Sequence, residues 1–320
     1  MGYKLAGFDV IGCNEIDPKM IEAYKANHKP KYAFLEPIQT FKLRDDLPEE
    51  LYNLDILDGS PPCSSFSMAG NRGKDWGKEK VFREGQAKQV LDTLFFDFID
   101  LAKKLQPKIV VAENVKGLLL GNAKKYVSKI YDEFENAGYI LHHFLLNAEN
   151  MGIPQFRERV FFIAIREDLN KNLPQQNYLF ESKPIIYMNF NEEKIPFKHI
   201  KSCGNDRPLR GKLRDLWNLK IKHDRDFMDI SIRIDGKQNY FSYNFIFDNE
   251  SPNTITGGDC AVLFSEPRYR NNEELFLSGS WPSDYDFLKL KKQYLIGMSV
   301  PPVMLAQIAT RIYEQWLSKL

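Results

Sequence analysis

The chain has few cysteines, no long apolar segment and almost no net charge. Its four cysteines among 320 residues, Cys13, Cys63, Cys203 and Cys260, are far apart and form no Cys-x-x-Cys pair. This spacing argues against a bound metal such as zinc and against a disulfide framework. No run of about 18 apolar residues and no charged-apolar-small leader is present, so we expect a cytoplasmic protein with no membrane partner. A net charge of +1 means that any surface for nucleic acid must be local.

The most informative segment is a turn that carries a single cysteine. Residues 54–57 form a short apolar run with strand character, and Gly59-Ser-Pro-Pro-Cys63 follows directly. Two prolines fix φ and remove backbone donors, so this turn is stiff and can hold a thiol towards a ligand. The alternative is a buried core cysteine, which is common. A core cysteine seldom lies between Pro-Pro and Ser-Ser-Phe-Ser, and the pattern therefore favours a nucleophile.

Up to about residue 166, strand-like runs alternate with helical periodicities. Strands are predicted at residues 8–13, 54–58, 109–112, 139–146 and 160–165. Helices are predicted from residue 20, across 90–105 and across 126–134. Alternating strands and helices indicate an α/β fold with a mainly parallel sheet that carries helices on both faces.

The character of the chain changes after residue 166. Residues 170–250 are aromatic, polar and irregular, and residues 198–237 carry eleven Lys or Arg against six Asp. A helix with one apolar face, from Val303 to Trp316, ends the sequence. We predict a large first domain at 1–167, a smaller irregular domain at 168–252, and a segment at 253–320 that returns to the first domain.

Three polar features follow predicted strands: Cys63, the Glu113-Asn114-Val115 run, and Gln155 with Arg157 and Arg159. A thiolate needs a nearby positive charge to lower its pKa, and either arginine could supply it. Burial at the end of an apolar strand would raise the pKa of Glu113 and suit it to proton donation. Taken singly, Glu113 could instead cap the next segment, and the arginines could be a surface pair.

Together these motifs resemble those of the cytosine-C5 DNA methyltransferases. The resemblance covers about residues 2–318, with a gap in the variable middle. Its motifs are Pro62-Cys63 with Phe66-Ser67, Glu113-Asn114-Val115, Gln155 with Arg157 and Arg159, Arg268 with Glu274, and Gly297 with Ser299-Val300-Pro301-Pro302.

The resemblance implies a Rossmann-like, S-adenosylmethionine-dependent methyltransferase sheet in the first domain and a target-recognition domain at 168–252. It implies transfer of a methyl group to C5 of a cytosine flipped out of a specific double-stranded DNA sequence. Cys63 adds to C6, Glu113 stabilises the charge at N3, Arg159 contacts the base near O2, and Arg157 supports the site. The C5 carbon takes the methyl group, and loss of the C5 proton expels the cysteine.

Cofactor residues carry over unevenly. The resemblance assigns S-adenosylmethionine contacts to Asn14, Glu15, Ile16, Ile38, Ser60, Pro62, Leu94, Ser299 and Val300. Glu15 is expected to bind the ribose hydroxyls, as acids do in dinucleotide folds. Pro37 replaces the usual Asp at the adenine pocket, and Met298 replaces the usual Asn before Ser299.

DNA contacts are expected from a mobile loop at residues 68–86 and from the basic domain. The assigned residues are Ser65, Arg72, Lys74, Arg83, Gln155, Arg210, Arg214 and Thr254. Glycines would act as hinges in the loop while its cations approach phosphates. The alternative is a charged loop that is simply solvated.

The opening of the chain departs from the family pattern. Residues 1–8 match the helix and turn that follow the family's first strand and glycine-rich cofactor loop, and that strand and loop are not recognisable. One alternative is therefore an inactive or split form that binds DNA but needs an N-terminal fragment in trans. Another is an RNA cytosine methyltransferase. The remaining expectations are a monomer and an association with a restriction endonuclease in a restriction-modification system.

Overall fold

The computed structural model describes residues 1–62, 79–80, 89–90, 93–177, 182–204, 207–240, 242–258 and 260–320. The helices are α1 Gly2–Leu5, α2 Pro18–His28, α3 Ile38–Phe41, α4 Leu94–Leu105, α5 Lys124–Asn136, α6 Gly211–Asn218, α7 Phe227–Asp235, α8 Asn272–Ser278, α9 Lys292–Met298 and α10 Pro302–Gln315. The strands are β1 Gly12–Glu15, β2 Tyr32–Leu35, β3 Ile56–Gly59, β4 Glu79–Lys80, β5 Gln89–Val90, β6 Ile109–Val115, β7 Tyr139–Asn147, β8 Glu158–Arg166, β9 Gln175–Asn177, β10 Ser182–Pro184, β11 Phe245–Ile246 and β12 Val262–Leu263.

A four-stranded sheet in the order β3-β6-β8-β7 forms the centre of the fold. β3 pairs with β6 in parallel, and β6 pairs with β8 antiparallel. The predicted α/β class is confirmed, but the sheet is mixed where we expected it to be mainly parallel. The connection from β7 to β8 has no helix of crossover length, and a parallel pair would require one.

A second, parallel sheet consists of β1 and β2. Its first strand begins at Gly12, later than the predicted residues 8–13, because Asn14 and Glu15 pair with Phe34 and Leu35 and remain in the strand. Inter-strand pairing, and not the apolar run, therefore sets this strand. One buried apolar cluster contacts side chains from both sheets. Its buried members are Phe41, Leu47, Leu51, Leu101 and Leu105.

Local sequence explains the helix bounds near the sheet. Asp17 caps α2 by accepting the N–H groups of Lys19 and Met20, and Pro18 occupies the first turn. α4 ends at Leu105, and the next residue, Gln106, adopts a left-handed φ of 50° before Pro107. At the end of β3, a Cβ on Gly59 would lie 2.4 Å from the Phe98 ring of α4, so only glycine allows this close approach.

The described chain divides into two compact units. The sheet unit comprises Asp9–Leu146, Glu158–Asn189 and Ile308–Leu320, and the second unit comprises Met1–Phe8, Asn147–Arg157 and Phe190–Gln307. The second unit has its own core of Leu209, Phe227, Ile230, Phe245 and Val262. The domain boundaries predicted at residues 168 and 253 stay predictions.

The C-terminal range Lys292–Lys319 is apolar and long enough for a membrane span by composition, with a mean hydropathy of 1.3. It consists of α9 and α10, which are separated at residues 299–301. Half of its apolar window is buried, and Ile308, Ile312 and Trp316 are fully buried. These features are typical of core helices in a globular fold.

Candidate active site

Glu113 and Arg159 form an ion pair on neighbouring strands. Glu113 lies near the end of β6 and Arg159 near the start of β8, where the antiparallel register aligns Val115 with Arg159. Arg159 Nε lies 2.9 Å from Glu113 Oε1, and both side chains are largely buried. Burial lowers the pKa of Arg159, and the charge of Glu113 opposes that shift. The sequence predicted a desolvated carboxyl, and the structure adds a guanidinium that stabilises its ionised form.

Asn114 connects the same strand end to the turn before Cys63. Its Nδ2 donates to the carbonyl of Pro61 at 3.0 Å, and its Oδ1 accepts the N–H of Val115 at 2.9 Å. Asn114 is 4% exposed, so water does not compete for these bonds. The turn is thereby fixed two residues before the cysteine. The sequence places Asn114 in the Glu113-Asn114-Val115 motif but indicates no role for it.

Several predicted residues lie outside the described part of the chain. They are Cys63, Ser65, Arg72, Lys74 and Arg83, and the predicted loop at 68–86 falls largely there as well. Their roles stay predictions.

Arg157 belongs to the second unit, where its guanidinium binds backbone carbonyls. Nη1 donates to Ile255 O at 2.9 Å, and Nη2 donates to Gly297 O at 3.1 Å and to Ser299 O at 3.0 Å. The side chain is 2% exposed. A Cβ on Gly297 would lie 2.4 Å from the backbone of Thr256, so glycine is required where these segments meet. The predicted role of Arg157, supporting the site by positioning its neighbours, stays a prediction.

Gln155 is also occupied by backbone groups. Its Nε2 donates to Ser278 O at 2.8 Å, and its Oε1 accepts the N–H of Ile255 at 3.1 Å. Both ends of the side chain are engaged and it is 1% exposed, so it joins backbone segments of the second unit, and its predicted DNA contact stays a prediction. Thr254, assigned to DNA as well, donates its hydroxyl to Phe156 O at 2.7 Å.

Glu15 ends β1 with a held carboxylate. Its Oε1 accepts the N–H groups of Ile16 at 2.8 Å and Asp17 at 2.9 Å. Oε2 accepts no hydrogen bond from the residues that the structure describes. Burial raises the pKa of this carboxyl, and the two backbone N–H groups act in the opposite direction.

The other predicted cofactor residues differ in their surroundings. Asn14 donates Nδ2 to Glu36 O at 2.9 Å and so joins β1 to the end of β2, which leaves its amide nitrogen engaged. Ile38 is partly buried between two apolar clusters, Ser60 is exposed, Pro62 is half-buried and Leu94 is buried. Ser299 and Val300 are half-buried in the second unit, where Ser299 donates its hydroxyl to Leu295 O.

A buried ion pair organises the second unit. Arg268 donates from Nη1 and Nη2 to the two carboxylate oxygens of Glu274 at 2.9 and 2.7 Å. Glu274 also closes a capping box with Asn271 at the start of α8. Because both charges are removed from water, this bidentate geometry is needed to offset desolvation. Within the described ranges, no three His, Cys, Asp or Glu side chains are grouped to hold a metal ion.

Comparison with known proteins gives the lineage. The sequence matches the family "C-5 cytosine-specific DNA methylase" over residues 1–314. It is 28% identical to the type II methyltransferase M1.HphI of Haemophilus parahaemolyticus over 98% of this chain and 83% of that protein. It is 40% identical to the type II methyltransferase M.FnuDI of Fusobacterium nucleatum, but that alignment spans 53% of this chain and less than half, 44%, of M.FnuDI.

A solved structure shares the fold. A mutant of DNMT2 from Spodoptera frugiperda superposes with a TM-score of 0.64 over 98% of this chain and 95% of that chain, at 15% identity. This likeness establishes a common fold and agrees with the predicted Rossmann-like class. The family match covers nearly the whole sequence, and the chain therefore belongs to the C-5 cytosine-specific DNA methylases.

Proposed function

We propose that this protein transfers a methyl group from S-adenosylmethionine to C5 of a flipped-out cytosine in a specific duplex DNA sequence. The observation that carries the proposal is the hydrogen bond from Asn114 to Pro61 O. It holds the turn before Cys63 against the strand that presents Glu113. The proposed acid lies on this strand end, and the proposed nucleophile follows the held turn by two residues in the sequence.

The residues act on the base in sequence. The Cys63 thiolate forms a bond to C6, and the electron pair of the C5–C6 double bond moves towards N3 and O2. Glu113 donates a proton to N3 as negative charge develops there, and the Arg159 guanidinium stabilises the carboxylate that is left and contacts the base near O2. Once C5 has used this electron pair to bond the methyl group, water removes the C5 proton; the C–H electrons reform the C5–C6 double bond, and the Cys63–C6 bond breaks to release the thiolate.

S-Adenosylmethionine supplies the electrophilic methyl group when it is bound. Glu15 fits the ribose of this cofactor, because its Oε1 is held by two backbone N–H groups while its Oε2 has no donor among the described residues. Two ribose hydroxyls could then donate to the carboxylate. Ile38, Ser60, Pro62 and Leu94 of the sheet unit would form further contacts, and the cofactor roles of Ser299 and Val300 stay predictions.

Duplex DNA is the proposed partner, and its target sequence would be read by residues 168–252. Arg210 is exposed at the start of α6, and Arg214 lies one turn further along the helix. Cations of this kind position a protein on phosphates. We further propose a cytoplasmic monomer that accompanies a restriction endonuclease, as the type II names of the relatives suggest.

The test is methyl transfer from labelled S-adenosylmethionine to duplex DNA and to structured RNA. The wild-type chain should label duplex DNA on cytosine, and Cys63→Ala should abolish labelling. The matched control is Cys203→Ala, because Cys203 is an exposed cysteine of the second unit. Labelling of RNA without DNA, or full activity of Cys63→Ala, would overturn the proposal.

A further inference from the structure

Four positively charged side chains of the basic segment lie on α6 or beside it. Three other cations of this segment have carboxylate partners. These pairs are Lys201 with Glu266 at 2.7 Å, Arg225 with Glu250 at 2.6 Å, and Arg233 with Asp224 at 2.7 Å. By contrast, Arg210, Lys212, Arg214 and Lys220 form no ion pair with any carboxylate in the described chain. Lys198, Arg207, Lys222 and Lys237 also form no ion pair in the described chain, but the four cations at α6 are grouped on one short helix and the turn after it.

Two of these cations share one aromatic ring. Lys220 Nζ lies 3.1 Å from the centroid of the Trp217 ring, and the Arg214 guanidinium carbon lies 5.3 Å from it. The ring is anchored because Trp217 Nε1 donates to Leu263 O on β12 at 2.9 Å. Lys220 also lies 5.1 Å from the Phe264 ring. Cation–π contacts hold both positive groups at fixed positions.

This arrangement keeps two like charges close together. Burial lowers the pKa of Lys220, and the positive charge of Arg214 lowers it further. Repulsion between two cations raises the energy of the free protein. An anion placed at both groups removes this repulsion, so the site is electrostatically complementary to a phosphate.

The positions of the cations identify the kind of anion. Arg210, Arg214 and Trp217 are spaced by four and three residues, and this spacing places them along one side of α6. A helix rises about 1.5 Å per residue, so Arg210 and Arg214 lie about 6 Å apart along the axis, and the Trp217 ring that holds Lys220 lies about 4.5 Å further on. One free anion would contact only part of this row, whereas successive phosphates of a nucleic-acid strand match its length. We infer that Arg214 and Lys220, held on Trp217, bind a backbone phosphate of duplex DNA, and this inference rests on the proposed function.

The experiment measures the salt dependence of binding for the full chain and a short fluorescein-labelled DNA duplex. Each phosphate contact contributes about 0.9 to the slope of log K against log salt. Lys220→Gln should lower the slope by about that amount. Lys237→Gln is the matched control, because Lys237 is an exposed lysine just after α7 with the same charge. Equal slopes for the two variants would overturn the inference.

Two further variants separate the platform from net charge. Trp217→Phe keeps both cations and a ring but loses the anchoring N–H, so we expect weaker DNA binding at unchanged net charge. Lys220→Arg should bind DNA as tightly as wild type at neutral pH. As the pH rises towards the lowered pKa of Lys220, wild type should lose affinity for DNA and Lys220→Arg should not. Unchanged affinity in Trp217→Phe, or an identical pH profile in Lys220→Arg, would count against the site.

Measuring methyl transfer by the same variants separates the phosphate site from the proposed function. If wild type methylates duplex DNA but Lys220→Gln and Lys237→Gln have equal slopes, the phosphate site fails and the proposed function stands. If the slopes differ but duplex DNA is never methylated, the proposed function fails and the site stands. A slope difference seen with structured RNA and not with duplex DNA would overturn the assignment to DNA.

Discussion

The buried side chain of Asn114 donates from Nδ2 to the carbonyl oxygen of Pro61, two residues before Cys63, at a distance of 3.0 Å. Asn114→Ala removes this donor and leaves a buried acceptor unsatisfied, at about 1–3 kcal/mol. We expect a lower rate constant for methyl transfer and an unchanged affinity for DNA, because phosphate contacts lie elsewhere. Single-turnover kinetics and DNA titration measure the two effects. Asn136→Ala, at the exposed end of α5, is the control, and equal rates for both variants would contradict this role.

Glu113→Gln tests the paired carboxylate. The substitution keeps the shape but leaves Arg159 without its counter-charge and removes the acid. Proton transfer by a positioned side chain contributes about 10²–10⁴-fold, so we expect a loss of this size in the rate of methyl transfer.

The control for Glu113 is Glu158→Gln, since Glu158 pairs with the more exposed Lys116 at 2.8 Å. A surface pair contributes about 0–1 kcal/mol, and the rate should hardly change. Comparable rates for Glu113→Gln and wild type would exclude the acid role.

Arg157→Lys tests the positioning role. The three donors of a Lys ammonium lie on one nitrogen, so they cannot reach carbonyls that two separate guanidinium nitrogens bind, and each buried carbonyl left unsatisfied costs about 1–3 kcal/mol. We expect a marked fall in the free energy of unfolding and a raised KM for the cofactor, because the turn at Ser299 loses its support. Urea unfolding and initial-rate kinetics provide these values. Arg44→Lys, which alters the ion pair with the exposed Asp46, should change neither.

We expect the ionisation of Glu15 to make the affinity for the cofactor depend on pH. Ribose hydroxyls donate to an ionised carboxylate, and burial raises the pKa of this group. Cofactor affinity should therefore fall as the pH drops through the raised pKa. The sign for stability is opposite: the folded state holds its proton more tightly, so stability decreases as the pH rises from the ordinary towards the raised pKa.

Calorimetric titration of Glu15→Gln with the cofactor should give weak binding whose affinity does not fall further as the pH is lowered. Glu22→Gln, on the exposed side of α2, should match wild type. If the cofactor affinity of Glu15→Gln still fell at low pH, a group other than Glu15 would be responsible for the pH dependence.

Sequence reasoning found the parts of this protein whose signals are local. The apolar run at β6 predicted a buried strand, and the cysteine turn, Glu113 and Arg159 pointed to the chemistry. It placed the first strand too early, because pairing with β2 rather than apolarity sets that strand. It also missed the acceptors of Arg157 and the contact between Lys220 and Trp217. These contacts join residues through the folded backbone, and no spacing in the sequence reveals a carbonyl acceptor 98 to 142 residues away.

Covalent capture of a modified duplex shows directly whether Cys63 is the nucleophile that attacks the cytosine. A duplex with 5-fluorocytosine at the target lacks the C5 proton whose loss frees the enzyme, so the adduct accumulates. With S-adenosylmethionine present, wild type and Cys203→Ala should form a denaturation-resistant complex with this duplex, and mass spectrometry should place the bond on Cys63. Cys63→Ala should form none. A covalent complex in Cys63→Ala, or a bond mapped to another residue, would contradict the account.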